Sequence, residues 1–178
     1  MGYGIIACVG KNFRLVDLGV IQTGKTKESM DKMQVIFEET NRLIRLHSPS
    51  EVAIEAQFFG KNVQSMLKLG RAQGIAIAAA LHNKLSVHEY APRKIKQSIT
   101  GKGTATKEQV ALMLQRLFKI EEMPQYLDAT DGLAVAVCHF FQNGIPVPEA
   151  TGKTPAAKSN KKYGSWESFV TENKNRIK

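Results

Sequence analysis

Residues 51–90, EVAIEAQFFGKNVQSMLKLGRAQGIAIAAALHNKLSVHEY, decide the fold class. A short apolar run, VAIEA, gives way to a long stretch of small and apolar residues from Asn62 to Leu81, and then to a second β-rich run, LSVHEY. Short apolar runs of this kind read as buried strands, and the longer segment between them reads as a helix. Strand, helix, strand in that order is a parallel crossover, the building unit of an α/β protein.

Upstream, GYGIIACV at 2–9 and FRLVDLGVIQ at 13–22 are β-rich and joined through Gly10, Lys11 and Asn12, which predicts an antiparallel hairpin. Between hairpin and crossover, Met30, Met33, Ile36, Phe37, Leu43 and Ile44 recur at helical spacing from Glu28 to His47, and Pro49 closes the segment. Downstream, Ala91-Pro92 ends the second crossover strand, and a short basic helix, RKIKQSI, leads into TGKGTATK, a loop too polar to bury itself. Thr106 and Gln109 fit a capping box for the helix EQVALMLQRLF, and a last helix is expected from Tyr126 to Gln142. These elements predict a three-layer α/β domain with a mixed sheet over residues 1–143. Residues 144–178, rich in Pro, Lys and small residues, read as a basic flexible linker and tail in which SWESFV forms one apolar turn.

With 178 residues, 43% of them hydrophobic, the chain can bury one sizeable core and is too short to expect two. It contains neither a membrane-length apolar run nor a secretory leader pattern, so a soluble, cytoplasmic protein is expected. Cys8 and Cys138 sit in apolar runs outside any ligand spacing and are expected to be buried thiols, with neither zinc nor a disulfide framework. The net charge of +9 points to a polyanionic partner, and because residues 144–178 hold seven Lys or Arg against three Glu, the main domain keeps +5 of it.

Residues 19–26, GVIQTGKT, match the phosphate-loop pattern GxxxxGK[ST]. Such a loop turns its backbone N–H groups inward around phosphate, and Val20 and Ile21 resist that conformation. They continue the alternation of Val16 and Leu18, so the strand is expected to run through the match, and nucleotide binding there is the weaker reading.

Three carboxylates point to a different chemistry. YLDATDGLAVAVCHF places Asp128 and Asp131 on one face at the start of an apolar helix, where they can share a cation or serve as ordinary first-turn acids. Glu55 lies in an otherwise apolar strand, where a charge is costly unless paired, metal-bound or at a solvated strand end. Together the three suit a Mg²⁺ site for phosphodiester hydrolysis, since hard cations take oxygen ligands. Two ions would call for a further carboxylate, and Asp17, in the second hairpin strand, has no evident approach to the others.

Read in order, GYGII, VAIEAQFFGKNVQSMLKLGRAQGIAIAAA, VHEYAPRKIKQSITGKGTATKEQV and DATDGLAVAVCH closely resemble RuvC-type Holliday junction resolvases, from residue 2 to about 143. The resemblance implies a ribonuclease H-like fold and Mg²⁺-dependent, symmetric nicking of four-way DNA junctions, with two ions per intact site. It also implies a homodimer and a partnership with a branch-migration motor of the RuvA/RuvB type. Glu55, Asp128 and Asp131 match the family's catalytic and metal-binding acids, and Phe58 matches an aromatic that stacks on bases at the crossover. Lys96 and Lys107 match basic residues near the scissile phosphates, with Arg93, Lys94 and Lys102 expected to add backbone contacts. The helix containing Leu67, Leu69, Gly74 and Ala78 resembles the family's dimer contact.

The family's first strand ends in Asp-x-Gly and precedes the glycine-tyrosine-glycine strand, whereas here Met1 stands immediately before Gly2. The first, central strand and its catalytic Asp are therefore expected to be missing from residues 1–178. Four or five core side chains at stake represent about 6 to 15 kcal/mol, comparable to a domain's net stability. The expectation is a true start further upstream, and for the chain as given weak metal binding, little cleavage and an exposed edge along GYGIIACV. A branched-DNA-binding protein that does not cut is the rival reading, with a phosphate-loop NTPase behind it.

Overall fold

The structure, a computed structural model, describes residues 1–24, 28–57, 62–121 and 127–143. These fall in the first of the two units into which the chain divides, Met1–Ile145. The second, Pro146–Lys178, lies outside the described residues, and with it the expected linker and SWESFV turn.

The described elements are β1 (Gly2–Val9), β2 (Asn12–Val20), α1 (Ser29–His47), β3 (Glu51–Glu55), α2 (Val63–His82), β4 (Ser86–Tyr90), α3 (Pro92–Thr100), α4 (Lys107–Phe118) and α5 (Leu127–Asn143). β1 and β2 form an antiparallel hairpin that turns through Gly10 and Lys11, and its register runs from Gly2 opposite Val20 to Val9 opposite Asn12. β3 and β4 pair in parallel, Glu51 with Ser86 and Glu55 with Tyr90, and α2 makes the crossover between them. The mixed strand character resides in these two separate ladders, which share no hydrogen-bonded rung among the described residues.

Two apolar clusters account for the layering. One gathers Ile95 and Ile99 of α3, Val110 and Leu114 of α4, and Leu133, Val137 and Cys138 of α5, with Ile6, Phe13, Leu15 and Ala53 of the strands packed against them. The other joins Ile21 to Ile36 and Leu43 of α1, with Tyr3 and the small residues Ala72 and Ala76 of α2 against it. Leu114, Leu133, Val137 and Cys138 are fully buried, and sheet residues meet helices in both clusters, as three layers require.

α5 lies unusually close to β1. A Cβ at Gly132 would stand 2.6 Å from the Tyr3 Cα, and one at Gly4 would stand 2.6 Å from the Leu133 nitrogen. Only hydrogen side chains allow this approach, and it seats the first two turns of α5 on the hairpin.

One sequence expectation is corrected. Cys138 is buried, but Cys8 is exposed: at the turn end of the hairpin it is its rung partner Phe13 that packs on Phe118, Phe140 and Phe141. The TGKGTATK loop is largely exposed as expected, yet Ala105 is buried and anchors it to the core.

Candidate active site

Strand alternation sends Glu51, Ala53 and Glu55 to one face of β3. Ala53 packs into the cluster dominated by α5, so Glu55 stands at the carboxyl end of β3 on the side α5 covers. Asp128 lies in the first turn of α5 and Asp131 one turn later, held there by the close contact between Gly132 and β1. α4 begins at Lys107 behind a complete capping box. Gln109 N donates to Thr106 Oγ1 at 3.3 Å, and Thr106 N donates to Gln109 Oε1 at 3.0 Å. That cap fixes where Lys107 leaves the backbone.

The result is a cleft of about 60 Å³ rimmed by Glu55, Lys96, Lys107 and Asp131, with Ile95 and Val110 in its wall. Lys107 Nζ donates to Asp131 Oδ2 at 2.6 Å. Desolvation raises the Glu55 pKa above its ordinary value, the Asp131 charge raises it further, and Lys107 and Lys96 pull the other way. The Lys107 pKa is raised first by its hydrogen bond to Asp131 and then by the charges of Asp131, Asp128 and Glu55, against an opposing desolvation. All three predicted carboxylates thus share one electrostatic neighbourhood with Lys107. Their donors are all carboxylate oxygens, a set suited to a hard cation, and Lys107 neutralises in part the charge such a cation would meet.

Asp17 stands apart, accepting from the Tyr3 hydroxyl at 3.3 Å and lying 3.0 Å from His47 Nε2. The phosphate-loop match is interrupted as expected: Gly19 and Val20 belong to β2 and pair with Tyr3 and Gly2, while Lys25 and Thr26 lie outside the described residues.

Three comparisons bear on this geometry. Residues 1–139 match the family model described as crossover junction endodeoxyribonuclease RuvC. The chain is 49% identical over 178 residues to the protein of that name from Cytophaga hutchinsonii, covering all of this chain and 82% of that one. It is 50% identical over 180 residues to the one from Porphyromonas gingivalis, covering 91% of it. The chain belongs to the RuvC family. Family members are endonucleases acting on DNA at crossover junctions. Among solved structures, Thermus thermophilus RuvC in complex with a Holliday junction substrate superposes with a TM-score of 0.73 at 30% identity, over 79% of this chain and 86% of that one. Thermus thermophilus RuvC described without a substrate gives 0.70 at 31% identity over the same shares. The ribonuclease H-like expectation therefore holds for this RuvC-family chain.

Of the other residues the resemblance brought forward, Arg93, Lys94 and Lys102 are exposed on α3 and the loop after it. Lys94 Nζ sits 5.6 Å from the centroid of the Tyr90 ring, and Arg93 packs over Gly103. Phe58 lies outside the described residues. Sequence reasoning missed a second cluster in this RuvC-family chain, formed by Glu51, His88 and His139. Its signal was present in the even spacing of Glu51 from Glu55 and of His88 from Tyr90, but its members meet only through the parallel register of β3 with β4 and the passage of α5 across that pair.

Proposed function

We propose that this chain carries the centre of an enzyme that nicks four-way DNA junctions by Mg²⁺-dependent hydrolysis, with Glu55, Asp128 and Asp131 as the metal-binding acids. The observation that carries this reading is the cleft in which Glu55 and Asp131 face each other between Lys96 and Lys107. Bound Mg²⁺ supplies a Lewis acid that activates water and stabilises the leaving oxygen. Lys96 and Lys107 draw the phosphodiester to the cleft, and Lys107 holds Asp131 in place until a cation arrives. Arg93, Lys94 and Lys102 extend the basic surface along the DNA backbone, and Phe58 stacks on a base at the crossover.

The protein acts as a homodimer through α2. In support, Leu67 and Leu69 are exposed, and the space above Gly70 and Gly74 is open, leaving room for close helix packing. A branch-migration motor of the RuvA/RuvB type delivers the junction in the cytoplasm. Among the described residues no helix is long and apolar enough to cross a membrane.

A strand between β1 and β3 would join the two ladders, and one ending in Asp-x-Gly would bring a fourth carboxylate to the three. The test incubates synthetic four-way junctions in Mg²⁺ with the 178-residue chain and with a version preceded by such a strand. Paired nicks that depend on Asp131 support the proposal. Junctions that are bound but left uncut by both proteins favour the binding-only reading.

A further inference from the structure

At the other end of β3 from Glu55, three side chains converge without any part in the cleft. Glu51 opens β3, His88 lies in the middle of β4 opposite Ala53, and His139 projects from the last turns of α5. Glu55 lies four positions along the strand from Glu51, and His139 eight positions along the helix from Asp131. These spans are about 13 Å and about 12 Å. Because they match, α5 bridges the strand pair with one cluster at each end.

We infer that Glu51, His88 and His139 form a second metal site, selective for a zinc-class transition ion. One ligand atom from each residue lies within 4.8 Å of the others. His139 Nε2 is 2.6 Å from Glu51 Oε2, and His88 Nε2 is 3.5 Å from the same oxygen. The His88 Nε2 is buried and has no hydrogen-bond partner, a polar atom that a bound ion would satisfy. The rings of His88 and His139 lie 4.6 Å apart at 40°. Nitrogen and oxygen ligands about 2.0 to 2.2 Å from one ion need only small adjustments from these separations.

The outer contacts fit as well. His139 Nδ1 is 2.8 Å from the Tyr90 hydroxyl, so with Nε2 on the metal its Nδ1–H donates to the phenolic oxygen and fixes the ring. Glu51 is solvent-exposed and gives the ion a way in. Two imidazoles and one carboxylate favour zinc-class ions, whereas the all-oxygen set in the cleft favours Mg²⁺. With three protein ligands, one from each of β3, β4 and α5, the ion cross-braces the helix that carries Asp128 and Asp131, and a water completes the coordination.

The chain has four histidines, so His47 and His82 serve as internal controls. Zn²⁺ is titrated into the full chain in saturating Mg²⁺, followed by calorimetry and by imidazole ¹⁵N spectra. The expected result is one Zn²⁺ per chain with a micromolar or tighter Kd, shifting the Nε2 resonances of His88 and His139 while those of His47 and His82 stay in place. H88N is expected to weaken zinc binding at least 100-fold and E51Q about tenfold, while E55Q leaves it unchanged. Millimolar affinity, equal shifts at all four histidines, or zinc binding that survives H88N and disappears in E55Q would overturn the inference. The wild-type spectra decide the matter even if H88N does not fold.

Discussion

Lys107 donates to Asp131 across 2.6 Å, tying the first residue of α4 to the second turn of α5. Both side chains are well exposed, and an ion pair so placed contributes about 1 kcal/mol at most. Its importance lies in charge placement rather than stability. Lys107→Ala is therefore expected to cut single-turnover junction nicking by roughly tenfold or more, a loss of about 1.4 kcal/mol of transition-state stabilisation. Urea unfolding should place its stability within about 1 kcal/mol of wild type.

Glu55 gives the cleft a pH signature. Its carboxyl holds its proton more tightly in the folded chain than in the unfolded one, so ionising it penalises the metal-free fold. The penalty is absent well below the ordinary value of 4.5, grows as pH rises through the raised folded value, and is complete above it. In EDTA, Glu55→Gln is expected to melt higher than wild type at neutral pH and to lose that advantage at pH values below 4.5. Added Mg²⁺ should raise the wild-type melting temperature and leave the variant's unchanged, as thermal melts across that range will show.

The contact between α5 and β1 tolerates no added atom. Gly132→Ala places a methyl group against the Tyr3 backbone, and overpacking of this kind costs about 1 to 3 kcal/mol. Because Asp131 is its chain neighbour, nicking should fall along with stability. Urea denaturation together with a junction assay below the unfolding transition checks both.

Thr106→Ala removes the side-chain acceptor that meets the Gln109 N–H and should cost about 1 kcal/mol. It also loosens the turn from which Lys107 emerges, so a modest loss of nicking should accompany the lower denaturation midpoint.

Lys96→Ala is expected to weaken junction binding whatever the base sequence and to lower the slope of log K against log salt by about 1, as loss of one phosphate contact does. Binding isotherms at several salt concentrations measure that slope.

All nine described elements were legible in the sequence to within a residue or two, because the hairpin turn, the helical spacing and the Thr106–Gln109 capping box are local signals. The carboxylates were legible for a related reason: Glu55 is conspicuous in an apolar strand, and Asp128 and Asp131 share a helix face. What escaped depends on tertiary placement. Cys8 sits in an apolar run as convincing as that of Cys138, yet only Cys138, on the inner face of α5, reaches the core. Likewise, nothing local links Glu51 to His139, which is 88 residues away in the chain. Their meeting depends on α5 running across the strand pair.

The central claim is that Glu55, Asp128 and Asp131 form the Mg²⁺-dependent centre of a junction-cutting enzyme. Single-turnover cleavage of a synthetic four-way junction in Mg²⁺, comparing wild type with Asp131→Asn in the strand-preceded version of the chain, tests it most directly. The account predicts symmetric nicks from wild type, and from Asp131→Asn a rate lower by about 100-fold or more with junction affinity retained. Equal cleavage by the two proteins, or junctions bound and left uncut by wild type, would contradict it.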